Sequence, residues 1–149
     1  DLVFDGTFVW FANKDSDSVA RLRASYDMRD DAIIDTYPIG NSPRDLVFDG
    51  THIWVTHYDG GSLSKLRASD GARIGVYPVG NGASDLEFDG THIWVANFLD
   101  NSVAKLRASD GAIIDTYFVG DSPRDLVFDG THIWVTNDLD GGSVTKLCP

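Results

Sequence analysis

Four histidines offer this chain its most versatile chemistry, and three of them are evenly placed. His52, His92 and His132 each follow an Asp-Gly-Thr triplet, at intervals of 40 residues. Imidazoles repeated at one structural level would suit a metal ion. Phe8 holds the corresponding place after the first such triplet and breaks the series, so each histidine is expected to order its own turn. His57 alone stands outside the repeated position. Asp15-Ser16-Asp17 and Asp138-Leu139-Asp140-Gly141-Gly142 carry oxygen ligands at alternate positions, as calcium loops do. Neither runs on to the glutamate twelve positions along, and Asp-Gly is also common hairpin chemistry. No Gly-rich phosphate loop, nucleophile motif or His-Glu metal pattern is present. The expectation is a protein without cofactor or metal, and not an enzyme.

Bulk properties narrow the partners. The formal net charge is -11 and the sequence pI about 4.4. A field of that sign repels nucleic acid phosphate and anionic lipid. It favours solubility, or attracts a cation, a basic protein or a sugar. One cysteine, Cys148, allows neither an intrachain disulfide framework nor a cysteine-rich metal site. No stretch approaches the roughly 20 apolar residues of a membrane-spanning helix. Asp1 is not a natural initiator, so the lack of a signal-like opening decides nothing about a leader.

The elements that position these residues come from internal repetition. DLVFDGTHIWVT occupies 45–56 and recurs unchanged at 125–136; DLEFDGTHIWVA stands at 85–96 and DLVFDGTFVW at 1–10. Each copy has one tryptophan: Trp10, Trp54, Trp94 and Trp134. In the third copy, four extended segments are expected at 85–88, 92–96, 102–108 and 112–119. Asp89-Gly90, a polar turn at 97–101 and Asp110-Gly111 separate them, and 120–124 leads onward. None has room for a helix. Four short strands in about 40 residues mark a propeller blade, with the second strand sandwiched and the fourth, polar at Asp115 and Thr116, outermost. The fold class is therefore all-β, with blades at 1–44, 45–84, 85–124 and 125–149, the last incomplete.

The segment IWVTN at 133–137, within GDSPRDLVFDGTHIWVTN at 120–137, resembles the YVTN-type propeller repeats, relatives of NHL repeats and of virginiamycin B lyase blades. The chain is also similar to the highly repetitive propellers of cyanobacteria. The resemblance covers all four copies and implies ring closure, commonly by six to eight blades. It implies little about function, since one fold serves many. It does admit a lyase, whose general base would be a histidine unique to one blade, namely His57.

In propellers the loop between second and third strands shares a face with the link between blades. That face would carry 13–17, 57–61, 97–101 and 137–142, where the copies differ most. His57, Tyr58, Asp59, Phe98, Asp100, Asp138 and Asp140 are the candidate ligand-binding residues, with Arg44 and Arg124 from the links. Aromatic rings beside carboxylates suit a sugar or peptide. The arginines have a second reading, as ties between blades through Asp45 or Asp125. The extra residues Tyr26-Asp27-Met28-Arg29-Asp30-Asp31 read as a tolerated insertion at an exposed hairpin. The expected function is a binding or scaffold module for a protein or glycan, with a lectin-like propeller and a lyase as alternatives. The 25 residues of the last copy supply three strands. Three arrangements follow: a four-bladed ring, part of a longer chain, or two chains completing one eight-bladed ring.

Overall fold

The computed structural model describes residues 1–24, 35–40, 42–139 and 142–149. The first sheet holds β1 (Leu2–Phe4), β2 (Phe8–Asn13), β3 (Ser18–Arg23) and β4 (Asp35–Pro38). The second holds β5 (Pro43–Phe48), β6 (His52–His57), β7 (Ser62–Arg67) and β8 (Arg73–Pro78). The third holds β9 (Ala83–Phe88), β10 (His92–Asn97), β11 (Ser102–Arg107) and β12 (Ile113–Phe118). The fourth has three strands, β13 (Pro123–Phe128), β14 (Ile133–Asn137) and β15 (Ser143–Leu147). Every pairing is antiparallel between sequence neighbours. A single turn of 3-10 helix, Lys14–Ser16, interrupts the strands. Among the described residues no helix is long and apolar enough to cross a membrane. The insertion at 26–31 and Asp140 lie outside the described residues.

The hairpin between the first two strands of each sheet is closed by the same device. Asp89 Oδ1 accepts the amides of Thr91 and His92, while Oδ2 accepts the Trp94 indole N–H at 2.8 Å. Asp5, Asp49 and Asp129 do the same for Trp10, Trp54 and Trp134. His92 Nδ1 adds a contact to Asp89 at 3.2 Å, so these histidines serve their own turns, as their spacing suggests. The indole bodies are the larger contribution. Trp10 packs with Leu46, Ile53 and Val55 of the second sheet, Trp54 with Leu86 and Ile93, and Trp94 with Leu126 and Ile133. Burying an aromatic side chain of this size stabilises by roughly 2–3 kcal/mol. Tyr37, Tyr77 and Tyr117 lie against those tryptophans, with ring centroids 5.6 Å apart in each case.

Sheets meet through their first strands: β1 against β5, β5 against β9, β9 against β13. The first strands are therefore central and β8 and β12 peripheral, β12 being exposed along most of its length. The first and fourth sheets stand at the two ends of this series, with no substantial strand packing between them among the described residues.

One local feature was not expected. The central strands begin at Pro43, Ala83 and Pro123, two residues ahead of the repeated Asp-Leu, so the segment foreseen as a link is partly strand. Pro43 pairs with His57 and Leu46 with Val55, leaving Arg44 and Asp45 opposite Thr56. This is a β-bulge, two residues facing one, which turns neighbouring side chains in different directions.

Candidate functional site

The bulge sorts Arg44 from Asp45. Arg44 is exposed, its guanidinium 4.9 Å from the centre of the Tyr58 ring. Tyr58 follows β6 directly, and its amide donates to the Ser42 carbonyl at 3.3 Å, which ties the loop to the preceding link. Its ring lies 6.3 Å from that of Phe98 on the next blade, tilted by 48°. Arg44, Tyr58 and Phe98 thus form a cation–aromatic–aromatic run across two blades. Asp59 accepts a hydrogen bond from the Ser42 hydroxyl. Lys14, Ser42, Arg44, Tyr58 and Asp59 line an open cavity of about 430 Å³.

The remaining loop residues have structural partners. Asp100 accepts the Asn81 amide at 2.7 Å and its side-chain N–H at 3.0 Å. The Asn81 backbone bond, then the side-chain bond, holds the Asp100 carboxyl below its ordinary range. Asp17 braces instead the link that follows its own blade, accepting the Ser42 amide at 2.9 Å, and Asn101 does the same with the Ser122 amide at 2.9 Å. Loop and link therefore share a face, as propeller geometry requires, and they are stitched together there. Ser42 and Ser122 accept left-handed backbone, φ 54 and 55, where the third blade has Gly82 at φ 71. Aligning Ser42, Gly82 and Ser122 gives the signal that marks Ser42 as a positioned residue of the cavity.

Arg124 pairs with Asp138 at 2.7 Å on the fourth sheet, and both side chains are half exposed. The partner expected from the sequence was Asp125. The bulge separates the two, sending Arg124 to the loop while Asp125 stays on the central strand. Asp45 is likewise no tie for Arg44. It is buried and accepts the Leu86 amide of the next blade at 3.2 Å, and Asp85 accepts the Leu126 amide in the same way. Burial, reinforced by the hydrogen bond and repulsion from Asp85, pushes the Asp45 carboxyl up to about 8.

His57 is 2% exposed, inside the blade rather than on the loop surface, with Nε2 at 2.7 Å from the Ser64 hydroxyl. It ends β6 where Asn97 and Asn137 end β10 and β14, and those asparagines too bond inward, to Ser102 and Ser143. Lining the copies up on their last strand residue identifies this as a shared frame position. Among the described residues no three His, Cys, Asp or Glu side chains converge as a metal site.

The fold and face define a β-propeller-type protein, and solved structures agree. The chain is similar to Kuenenia stuttgartiensis hydrazine synthase, at 20% identity and TM-score 0.85, over 97% of this chain and 43% of that one. It is similar to virginiamycin B lyase from Staphylococcus aureus, at 18% identity and TM-score 0.73, over 99% and 54%. U3-55K matches at 15% identity and TM-score 0.79, over 98% and 50%. At such identities the likeness is one of fold. The chain spans about half the length of these proteins. No family model and no curated protein matches it.

Proposed function

We propose that this chain is a non-catalytic binding module whose ligand sits on the loop face, against Arg44, Tyr58 and Phe98. The observation that carries this reading is the exposed guanidinium stacked on Tyr58 at the mouth of an open cavity. A flat apolar ring and a cation offer contact area at little entropic cost, because each is already held by a neighbour. Asp59 and Lys14 at the rim add one charge of each sign. A peptide with an aromatic or apolar side chain and a charged neighbour matches these groups.

A lectin-like reading shares the site: Tyr58 beside Asp59 offers a stacking face and a hydroxyl acceptor to a sugar ring. The two separate in a parallel screen against a peptide library and a glycan array. Tyr58→Ala is expected to cut binding at least tenfold with the circular dichroism spectrum unchanged. Unchanged binding by Tyr58→Ala and Arg44→Ala together would sink the loop-face assignment. The lyase reading rests on His57 and the resemblance to virginiamycin B lyase. It predicts turnover lost in His57→Ala, and burial of that imidazole against Ser64 argues for a framework role instead.

A further inference from the structure

The outward faces of the first and fourth sheets are matched halves of the seam that joins sheets inside the chain. Leu2 is 65% exposed, whereas Leu46, Leu86 and Leu126, at the same station, are 5%, 5% and 8% exposed against the preceding sheet. At the other end Val144 is 62% exposed, whereas Val103, its counterpart on the third sheet, is sealed at 0%. Phe4 and Val127 are exposed in the same pattern, and Trp134 is half-buried where Trp10, Trp54 and Trp94 are fully covered.

The polar groups match as well. Inside the chain a cation on the third strand of the first and second sheets reaches forward: Arg21 to the Ala68 carbonyl at 3.0 Å, Lys65 to the Ala108 carbonyl at 2.7 Å. Lys146 holds that station on β15, its Nζ 5.2 Å from the Trp134 ring, as Lys65 Nζ is 4.7 Å from Trp54. The corresponding station on the first sheet is Ala24, whose amide donates to the Thr7 carbonyl at 3.0 Å. The same bond, Ala68 to Thr51 at 3.1 Å and Ala108 to Thr91 at 3.2 Å, shapes the turns that receive Arg21 and Lys65. On the central strands, Asp45 and Asp85 reach the Leu86 and Leu126 amides; at the two ends Asp125 is exposed, and the Leu2 amide donates to the Asp1 carboxylate at 2.8 Å.

We propose that a second copy of this chain covers both faces, with the fourth sheet of each packed on the first sheet of the other. Two identical head-to-tail seams then close a ring of eight blades. Lys146 reaches the carbonyl of the partner's Ala24. A seam joining two different faces generates either a closed ring or an open filament. Two copies supply eight sheets for such a ring, and the chain spans about half the length of the solved structures it resembles.

Light scattering on the intact 149-residue chain, with intact-mass spectrometry, tests this. The expected mass is twice 16.3 kDa. Leu2→Asp and Val144→Asp each alter a side chain that is exposed within one chain, so both variants fold, as circular dichroism will register. Each places an unpaired carboxylate in both seams and weakens the dimer by about a hundredfold or more. Mixing the two variants restores part of the dimer, since one seam then joins two unaltered faces. A wild-type mass of 16.3 kDa, a ladder of larger masses, a dimer that survives both substitutions, or a mixture that stays monomeric each overturns the proposal.

Discussion

Replacing Asp89 by alanine, and separately Asp129, asks whether the aspartate at each hairpin stabilises through the bonds themselves or through their burial. The two residues share three contacts, to two backbone amides and one indole N–H, at 2.7 to 2.8 Å, and Asp89 also meets His92 Nδ1 at 3.2 Å where Asp129 stands 3.8 Å from His132. They differ in their surroundings: the Asp89 side chain is 4% exposed and that of Asp129 is 40% exposed. Losing Asp89 strands the Trp94 N–H where water cannot reach, at a cost of about 1–3 kcal/mol. The two amides recover some solvent and add roughly 1 kcal/mol between them. The expected loss is about 2–4 kcal/mol, or about 5–15 °C in melting temperature for a chain of this size. At Asp129 water replaces the carboxylate, and the shift should be less than half as large. Thermal melts followed by circular dichroism give the two shifts. Exchange rates of the four indole protons by NMR show whether Trp94 is the one exposed. Equal shifts for the two variants would refute the argument that burial sets the cost.

Other perturbations follow from the same geometry. Asp45 titrates higher folded than unfolded, so its contribution is complete below the ordinary carboxyl value of 3.8 and is lost as pH rises toward about 8. Stability should therefore fall across that window, by at most about 1.4 kcal/mol per pH unit, and Asp45→Asn should flatten the profile in urea titrations. Gly111 sits at φ +76 with the Tyr77 ring 2.2 Å from where a Cβ would be, while Gly90 at φ +95 has open space around it. Gly111→Ala should cost about 2–4 kcal/mol and Gly90→Ala only about 1, as compared by their denaturation midpoints.

The blade was legible because its turns are chemically explicit. Asp-Gly pairs fix the hairpins, and a tryptophan at one offset marks the strand that lies between neighbours. The stack was partly legible too: Tyr58 and Phe98 stand out because the copies differ there, and Arg44 because the link between blades shares that face. The bulge was hidden, since a one-residue excess at Arg44-Asp45 leaves no mark on composition or alternation. It decides that Arg124 meets Asp138 and that Asp45 is buried beside Asp85. His57 drew notice as an unusual residue type, whereas its strand-terminal position, shared with Asn97 and Asn137, determines that it points inward. Asp100 looked like a ligand because carboxylates on loops often are; its bonds to Asn81 require the link to be folded over it, which is long-range information.

The stitching of blade to sequence neighbour seen among the described residues has a kinetic consequence. The contacts that order a hairpin close within a few residues, and those between blades reach only one repeat ahead. Folding can therefore start in any blade and spread by docking the next. Unfolding should peel from an end rather than occur at once, leaving inner blades folded while outer ones are open. Near-identical blades bring a hazard along with this economy. A hairpin in the act of docking finds almost the same seam on every other blade, including those of another molecule, so mispairing competes with correct order when the chain refolds at high concentration.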